Sequence, residues 1–316
     1  MKKRLLLLAA IVCAATSGMA QKVPAKLTNG AVINLYDKVE KSTVEEKSIE
    51  LNGTDIVVNV KNPTMTVYLP EQDKANGTTM LVCPGGGFCM LSWTTEGTMV
   101  AEELAKRGTT VFLLKYRLNP LLNEDGTGVS TQGDVLKGIM AVTQKAIEKT
   151  GALKEGRQPL MAEIAGNTDC TPLAMEDAIQ AMTLIKANAT KWGLDSEKVG
   201  IMGFSAGSMM TMHVAMNHTA ASRPAFAAPI YSGWTKDVTV PQDAAPLFIC
   251  SPVKDVFTPE EQMNIYLAWR NADKPVELHN FSQTVHGFGA VKSGKAVDSW
   301  IDLMFNFMKD VEFIKK

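Results

Sequence analysis

Val199-Gly200-Ile201-Met202-Gly203-Phe204-Ser205-Ala206-Gly207-Ser208 is the stretch on which the reading of this chain turns. Its first half is a continuous apolar run, the pattern of a strand buried on both faces. A Gly-x-Ser-x-Gly turn follows at Gly203 to Gly207, and Met209 to Asn217 has the composition of a helix. Strand, sharp turn and helix in that order form the context in which such a serine projects its hydroxyl above a sheet. Gly203 and Gly207 lack a Cβ, so strand and helix can close tightly around a strained turn. The competing reading is a tight turn with an incidental serine, because the five-residue pattern is common by itself.

On the N-terminal side, Thr79-Met80-Leu81-Val82-Cys83 is again continuously apolar and runs straight into Pro84-Gly85-Gly86-Gly87-Phe88. Thr98 to Arg107 has helical spacing, with Met99, Val100, Leu104 and Ala105 on one side and Gly108 as the stop. Thr110 to Tyr116 is a further buried strand, which completes a βαβ unit of a parallel sheet. Before it, Asp55 to Val60 and Thr64 to Leu69 alternate, as antiparallel strands with one wet face do. On the C-terminal side, Glu176 to Thr190 reads as an amphipathic helix, and Ala228 to Gly233 and Pro246 to Cys250 as buried strands. Thr258-Pro259-Glu260-Glu261 starts a helix by N-cap, first-position proline and capping-box glutamate. Val276 to Phe281 is a last strand, and Ala296 to Phe313 a closing helix with Trp300, Met304, Phe305 and Met308 inward. The fold class is therefore α/β, a mostly parallel central sheet flanked by helices. Asn119 to Pro172 interrupts that rhythm with a turn-rich start, a helix over Val135 to Thr150 and an irregular end from Arg157. A segment of this length is either a cap or lid over a site, or a solvated insertion with one packed helix.

The chain has 316 residues, 46% of them hydrophobic, and a formal net charge of −1. Lys2, Lys3 and Arg4 precede an apolar run from Leu5 to Ala15, and Gly18-Met19-Ala20 supplies small residues before a cut ahead of Gln21. Residues 1–20 thus read as a cleaved signal peptide, 21–316 as a single domain, and the protein as exported, periplasmic or extracellular. Without residues 1–20 there remain 29 basic against 33 acidic side chains, a formal charge of −4. No basic stripe is present, which argues against a nucleic-acid partner. No later run is long enough for a membrane span. Cys83, Cys89, Cys170 and Cys250 are too few for a disulfide-built scaffold; Cys83 and Cys250 end apolar strands, and Cys89 with Cys170 is a candidate bridge after export. Neither His-Glu-x-x-His nor Cys-x-x-Cys occurs, so the sequence carries no metal motif.

A serine hydroxyl needs a base to take its proton. Of four histidines, His213 lies two turns down the helix after Ser205, His218 just beyond that helix, and His279 inside the last strand. His286 follows the last strand, before Gly287-Phe288-Gly289, and can swing over the serine from a loop at the C-terminal edge of the sheet. The imidazole needs an acid to fix its tautomer. Asp255 sits on the loop after Phe248-Ile249-Cys250; Asp237 and Asp243 follow another strand, and Glu260 and Glu261 serve the helix start. For the oxyanion, backbone N–H donors come from Gly86 and Gly87 after the first parallel strand and from Ala206 after the nucleophile. A phosphate loop fails for want of Gly-Lys-Ser/Thr, and a dinucleotide fingerprint for want of Gly-x-Gly-x-x-Gly. Trp93 and Trp234 read first as core aromatics, and second as platforms lining a substrate.

Taken together, Pro84-Gly85-Gly86-Gly87-Phe88 with Leu91-Ser92 and Glu96-Gly97, Leu114-Lys115-Tyr116-Arg117-Leu118, Gly203-Phe204-Ser205-Ala206-Gly207 and His286-Gly287-Phe288 resemble the α/β-hydrolase fold. The resemblance is to exported bacterial esterases of the acetylxylan-esterase and feruloyl-esterase-like kind, over roughly Thr64 to Lys309. It implies hydrolysis of small acyl esters, acetyl groups on plant-polysaccharide sugars among them, through an acyl-enzyme without a cofactor. Three departures stand out: Ser208-Met209-Met210 after the elbow where the family has Gly-His-Leu, Asp255-Val256-Phe257-Thr258-Pro259 in place of Asp-x-x-Val-Pro, and the long 119–172 insertion. A serine exopeptidase of the same fold is one rival, although no propeller fits in this length. A non-catalytic binding protein on a hydrolase scaffold is another, but it predicts a missing triad member.

Overall fold

A computed structural model describes residues 23–234, 237–253, 255, 257 and 261–314. The signal-peptide reading of residues 1–20 and the helix start at 258–260 lie outside the described residues. The strands are β1 (Val32–Asn34), β2 (Lys47–Leu51), β3 (Thr54–Val58), β4 (Thr64–Tyr68), β5 (Thr79–Cys83), β6 (Met90–Leu91), β7 (Thr110–Lys115), β8 (Val199–Phe204), β9 (Ala227–Ile230), β10 (Leu247–Pro252) and β11 (Val276–Phe281). Eight of them form one sheet in the order β1-β4-β7-β5-β8-β9-β10-β11, and β2, β3 and β6 a small second sheet. From β7 to β11 every neighbour is parallel, whereas β4 pairs antiparallel with both β1 and β7.

The parallel strands read as continuous apolar runs because both of their faces are covered. The pleat sends Met80 and Val82 of β5, with Met202 and Phe204 of β8, into one core layer. Leu81 and Cys83, with Val199 and Ile201, enter the other. The first layer is closed by α1 (Met99–Lys106) and α7 (Trp300–Asp310), through Val100, Leu104, Trp300, Met304 and Met308. Before the second layer come α2 (Gln132–Thr150) and α3 (Met161–Gly166) in the insertion; the layer itself is closed by α4 (Thr171–Trp192), α5 (Ala206–Asn217) and α6 (Glu261–Asn271). A buried ion pair ties the layers to the sheet. Arg117, just past β7, places Nε 2.9 and 3.0 Å from the two oxygens of Asp177 on α4, and Tyr36 donates its hydroxyl to the same carboxylate at 2.9 Å.

The insertion is more regular than its sequence suggests. Helix α2 begins at Gln132 behind a capping box, Asp134 N–H donating to Thr131 Oγ1 and Thr131 N–H to Asp134 Oδ2, each at 3.2 Å. The part expected to be irregular contains α3, and α4 starts at Thr171 rather than Glu176, with Pro172 in its first turn where a missing N–H costs nothing. A π-helical turn at Trp93–Thr98 precedes α1, and a 3-10 turn at Ala296–Ser299 precedes α7. The candidate Cys89–Cys170 bridge is absent: all four described cysteines are free thiols. Burial pushes the Cys89 thiol up to about 12. Among the described residues no helix is long and apolar enough to cross a membrane.

Candidate active site

The chain leaves β5 for β7 on one side and returns to β8 on the other, so β5 and β8 flank the point where strand order reverses. In open α/β sheets that crevice, at the carboxyl ends of the strands, is where ligands gather. Here it holds Gly85 to Gly87 after β5, Ser205 after β8, Asp255 after β10 and His286 after β11.

Ser205 adopts φ +50°, ψ −114°, a conformation that L residues avoid, and its neighbours hold it there. Its N–H donates to Ile230 of β9 at 3.1 Å, and its carbonyl accepts the N–H groups of Ser208 and Met209 in the first turn of α5. Gly207 lets that turn meet the sheet: a Cβ there would lie 2.0 Å from the carbonyl oxygen of Cys83.

His286 Nε2 is 2.9 Å from Ser205 Oγ, and His286 Nδ1 is 2.8 and 3.1 Å from the oxygens of Asp255. Asp255 is only 2% exposed, and its Oδ1 also accepts the N–H of Phe257 at 2.9 Å. A carboxylate only accepts, so Nδ1 carries the proton and Nε2 is left to accept from the serine hydroxyl. Tyr231 and Phe257 pack on the imidazole at ring distances of 4.7 and 4.6 Å, which fixes its plane. The other histidines are placed elsewhere: His213 stands by Trp234, His218 meets Asp243 at 3.2 Å, and His279 meets Glu277 at 2.5 Å.

Gly86, Gly87 and Ala206 line the same cavity as Ser205 and His286. Their N–H groups have no hydrogen-bond acceptor among the described residues. Gly86 holds φ +131°, with Met90 O only 2.1 Å from where a Cβ would be, so the loop can take this path only as glycine. Such donors, aimed at a carbonyl oxygen beside the serine, can stabilise a developing oxyanion.

Neither tryptophan reaches the cavity. Trp93 is packed between the two core layers. Trp234 is buried, its indole N–H directed at Asp237 O at 3.5 Å, and it faces a separate cleft with Tyr36 and Met175.

Glu96, of the Glu96-Gly97 motif, stands between the two loops of the site. Wholly buried on the π-helical turn, it accepts the Gly85 N–H on Oε2 and the Tyr231 hydroxyl on Oε1, each at 2.7 Å. The Tyr231 oxygen in turn accepts the N–H of Gly289 at 3.3 Å. One carboxylate thus joins the loop of Gly86 and Gly87 to the loop of His286. Burial raises its pKa, opposed by the hydrogen bonds from Tyr231 and Gly85 and by His286. The signal available in the sequence was a glutamate in an otherwise apolar, serine- and threonine-rich stretch.

The profile of the alpha/beta hydrolase fold family matches residues 169–245. An acetyl ester-xyloside bifunctional hydrolase from Caldicellulosiruptor lactoaceticus superposes with a TM-score of 0.59 at 18% identity, over 90% of this chain and 98% of that one. This chain has the α/β-hydrolase fold. Within that fold it resembles acetylxylan esterases: the acetylxylan esterase of Xylanibacter ruminicola is 24% identical over 280 residues, 78% of this chain and 48% of that protein. Endo-1,4-beta-xylanase B of Butyrivibrio fibrisolvens is 30% identical over 146 residues, 46% of this chain and 16% of that protein. The chain spans less than half the length of each of these two relatives. The α/β-hydrolase sheet and its switch-point crevice account for where Ser205, Asp255 and His286 converge.

Proposed function

We propose that this chain is an exported serine carboxylesterase that hydrolyses small acyl esters, acetyl groups on plant-polysaccharide-derived sugars among them, through an acyl-enzyme. The observation that carries the reading is the unbroken line Ser205 Oγ, His286 Nε2, His286 Nδ1, Asp255 at hydrogen-bond distances. His286 takes the serine proton as Ser205 Oγ bonds to the ester carbonyl carbon, and Asp255 stabilises the imidazolium. The carbonyl oxygen, now negative, receives the N–H groups of Gly86, Gly87 and Ala206. As the tetrahedral species collapses, the bond from carbon to the alcohol oxygen breaks and His286 returns the proton to the leaving alcohol. Water then gives a proton to His286, attacks the acyl carbon and releases the acid, while the proton returns to Ser205. The resemblance to an acetylxylan esterase supports the ester class, and the basic and apolar run of residues 2–15 supports export.

The test is acetate release from acetylated xylan by the purified protein and by Ser205→Ala, with fluorophosphonate labelling alongside. Release and labelling that both vanish in the variant support the reading. A wild type that neither labels nor cleaves any ester returns the chain to the binding-scaffold alternative.

A further inference from the structure

The cavity over Ser205 measures about 320 Å³. An acetyl group would occupy a small part of it. Its far wall is built by the insertion, from Ile139 and Val142 of α2 and Met161 and Ile164 of α3, and is continued by Met209 of α5. Its described polar side chains are Ser92, Glu96, Thr143, Thr168, Ser205 and His286; the oxygens of Glu96 already serve Gly85 and Tyr231, and the Thr168 hydroxyl already meets Thr171 and Ala165 O. A sugar ring pushed against Ile139, Val142, Met161, Ile164 and Met209 would find no polar side chain on those five residues, at a cost for each hydroxyl left unpaired. That wall therefore matches an alkyl chain better than a sugar ring.

The insertion also sits on a definite side of the reaction. It is fastened to the loop of Gly86 and Gly87, where Asn119 donates to Phe88 O at 3.1 Å and accepts the Cys170 N–H at 3.2 Å. Gly166 lies against the Met209 methyl group. His286, flanked by Tyr231 and Phe257, lines the same cavity from the loop after β11. The leaving oxygen has to face His286 Nε2 to receive its proton, so the acyl tail is directed away from the imidazole, and the apolar wall is the part of the lining suited to receive it. At the mouth that wall does not end. Met161 lines the cavity and is 40% exposed.

We propose that the insertion forms an acyl slot, and that straight-chain acyl groups of about four to six carbons are turned over in preference to acetyl, each added methylene being driven by burial. The proposal rests on the serine-esterase reading and names the acyl class of that same site; acetyl esters remain substrates that underfill the slot.

The experiment is a series of kcat/KM values for 4-nitrophenyl acetate, butanoate and hexanoate, which share one leaving group, beside ethyl and hexyl acetate, which share one acyl group. The expected result is a rise of about fourfold per methylene along the acyl series, roughly fifteenfold from acetate to butanoate, and little change along the alcohol series. Val142→Phe should then lower the butanoate-to-acetate ratio at least tenfold; if that variant does not fold, Met161→Trp at the exposed rim tests the same wall. A flat or falling acyl series while nitrophenyl acetate is cleaved overturns the slot and leaves the esterase standing. So does a preference that appears only along the alcohol series. No turnover of any ester overturns the esterase reading, and the slot with it.

Discussion

Tyr231 donates its hydroxyl to Glu96 at 2.7 Å directly beneath the imidazole of His286, whose ring lies 4.7 Å from that of Tyr231. With the Gly85 N–H on its other oxygen, Glu96 joins two loops that the backbone bonds Ser92 N–H to Gly85 O and Ala290 N–H to Thr95 O, each 2.9 Å, also hold to the same turn. Glu96→Ala strips a buried N–H and a buried O–H of their charged acceptor, and a fall in unfolding free energy of about 3–5 kcal/mol is expected. The loop of Gly86 and Gly87 also loses its anchor, and displacement by about an ångström lowers kcat about 100-fold. Denaturant unfolding and nitrophenyl-ester kinetics on one preparation check both. Glu96→Gln, which keeps an acceptor for Gly85, should recover most of the stability. Equal losses in the two variants would sink the anchoring role.

Glu96 also imposes a direction on pH dependence. Burial, opposed by Tyr231, Gly85 and His286, raises its pKa above the ordinary glutamate value of 4.5. The folded protein then binds more protons than the unfolded chain between 4.5 and the raised value, so stability contributed by this group is greatest below that window and declines as pH rises through it. Besides His286, the titratable groups facing it are the hydroxyls of Tyr231 and Tyr116, and burial raises both of these. Melting curves of wild type and Glu96→Gln from pH 4 upward should show the Gln variant gaining relative to wild type as pH rises. A difference that stays constant would contradict the sign.

Much of the fold was legible because its strands are buried on both faces. Thr79–Cys83, Thr110–Lys115 and Val199–Phe204 announce themselves as unbroken apolar runs, and the glycine turns after two of them mark the sheet's carboxyl edge. Ser205, Asp255 and His286 were each named by their place after a strand, and that place is what brings them together. What stayed hidden depends on tertiary contact. Helix α3 is six residues long, too short for periodicity to register, and is fixed by its neighbours. The start of α4 was missed because Thr171 and Pro172, first-turn residues of the helix, fall at the end of a segment that reads as irregular. Glu96 has no sequence partner at helical or strand spacing; its hydrogen-bond partners lie 11 and 135 residues away. Trp93 and Trp234 carry no signal distinguishing a core aromatic from a sugar platform.

The line from Ser205 to Asp255 predicts unequal losses. Ser205→Ala removes the atom that would bond to the ester carbon, and kcat should fall by roughly 10⁴–10⁶. Asp255→Asn leaves the shape but can donate toward His286 Nδ1, which favours the tautomer with the proton on Nε2, and a loss of about 10⁴ is expected. Because both act in one unit, the double variant should be little worse than Ser205→Ala alone. Losses that add in the logarithm would mean that Asp255 works independently of the serine. Single-turnover kinetics on a nitrophenyl ester, with intact melting temperatures as the control, decide this.

Gly207 and Gly87 separate two ways in which a glycine is required. A Cβ on Gly207 would lie 2.0 Å from Cys83 O and 2.5 Å from Pro84 O, both backbone atoms at the end of β5. Nothing in that contact is a flexible side chain, so α5 would have to lift off the sheet, opening the β5–β8 crevice and releasing the strained turn at Ser205. Gly87 sits at φ +62° with nothing within 4 Å of a Cβ, so alanine there meets only the left-handed backbone penalty of about 1–2 kcal/mol. Gly207→Ala is expected to cost more than about 4 kcal/mol, enough to lower soluble yield sharply. Gly87→Ala should fold with a melting temperature a few degrees down. Expression and thermal unfolding of the two variants side by side make the comparison, and a Gly207→Ala protein that melts with wild type would show that the elbow can close without its glycine.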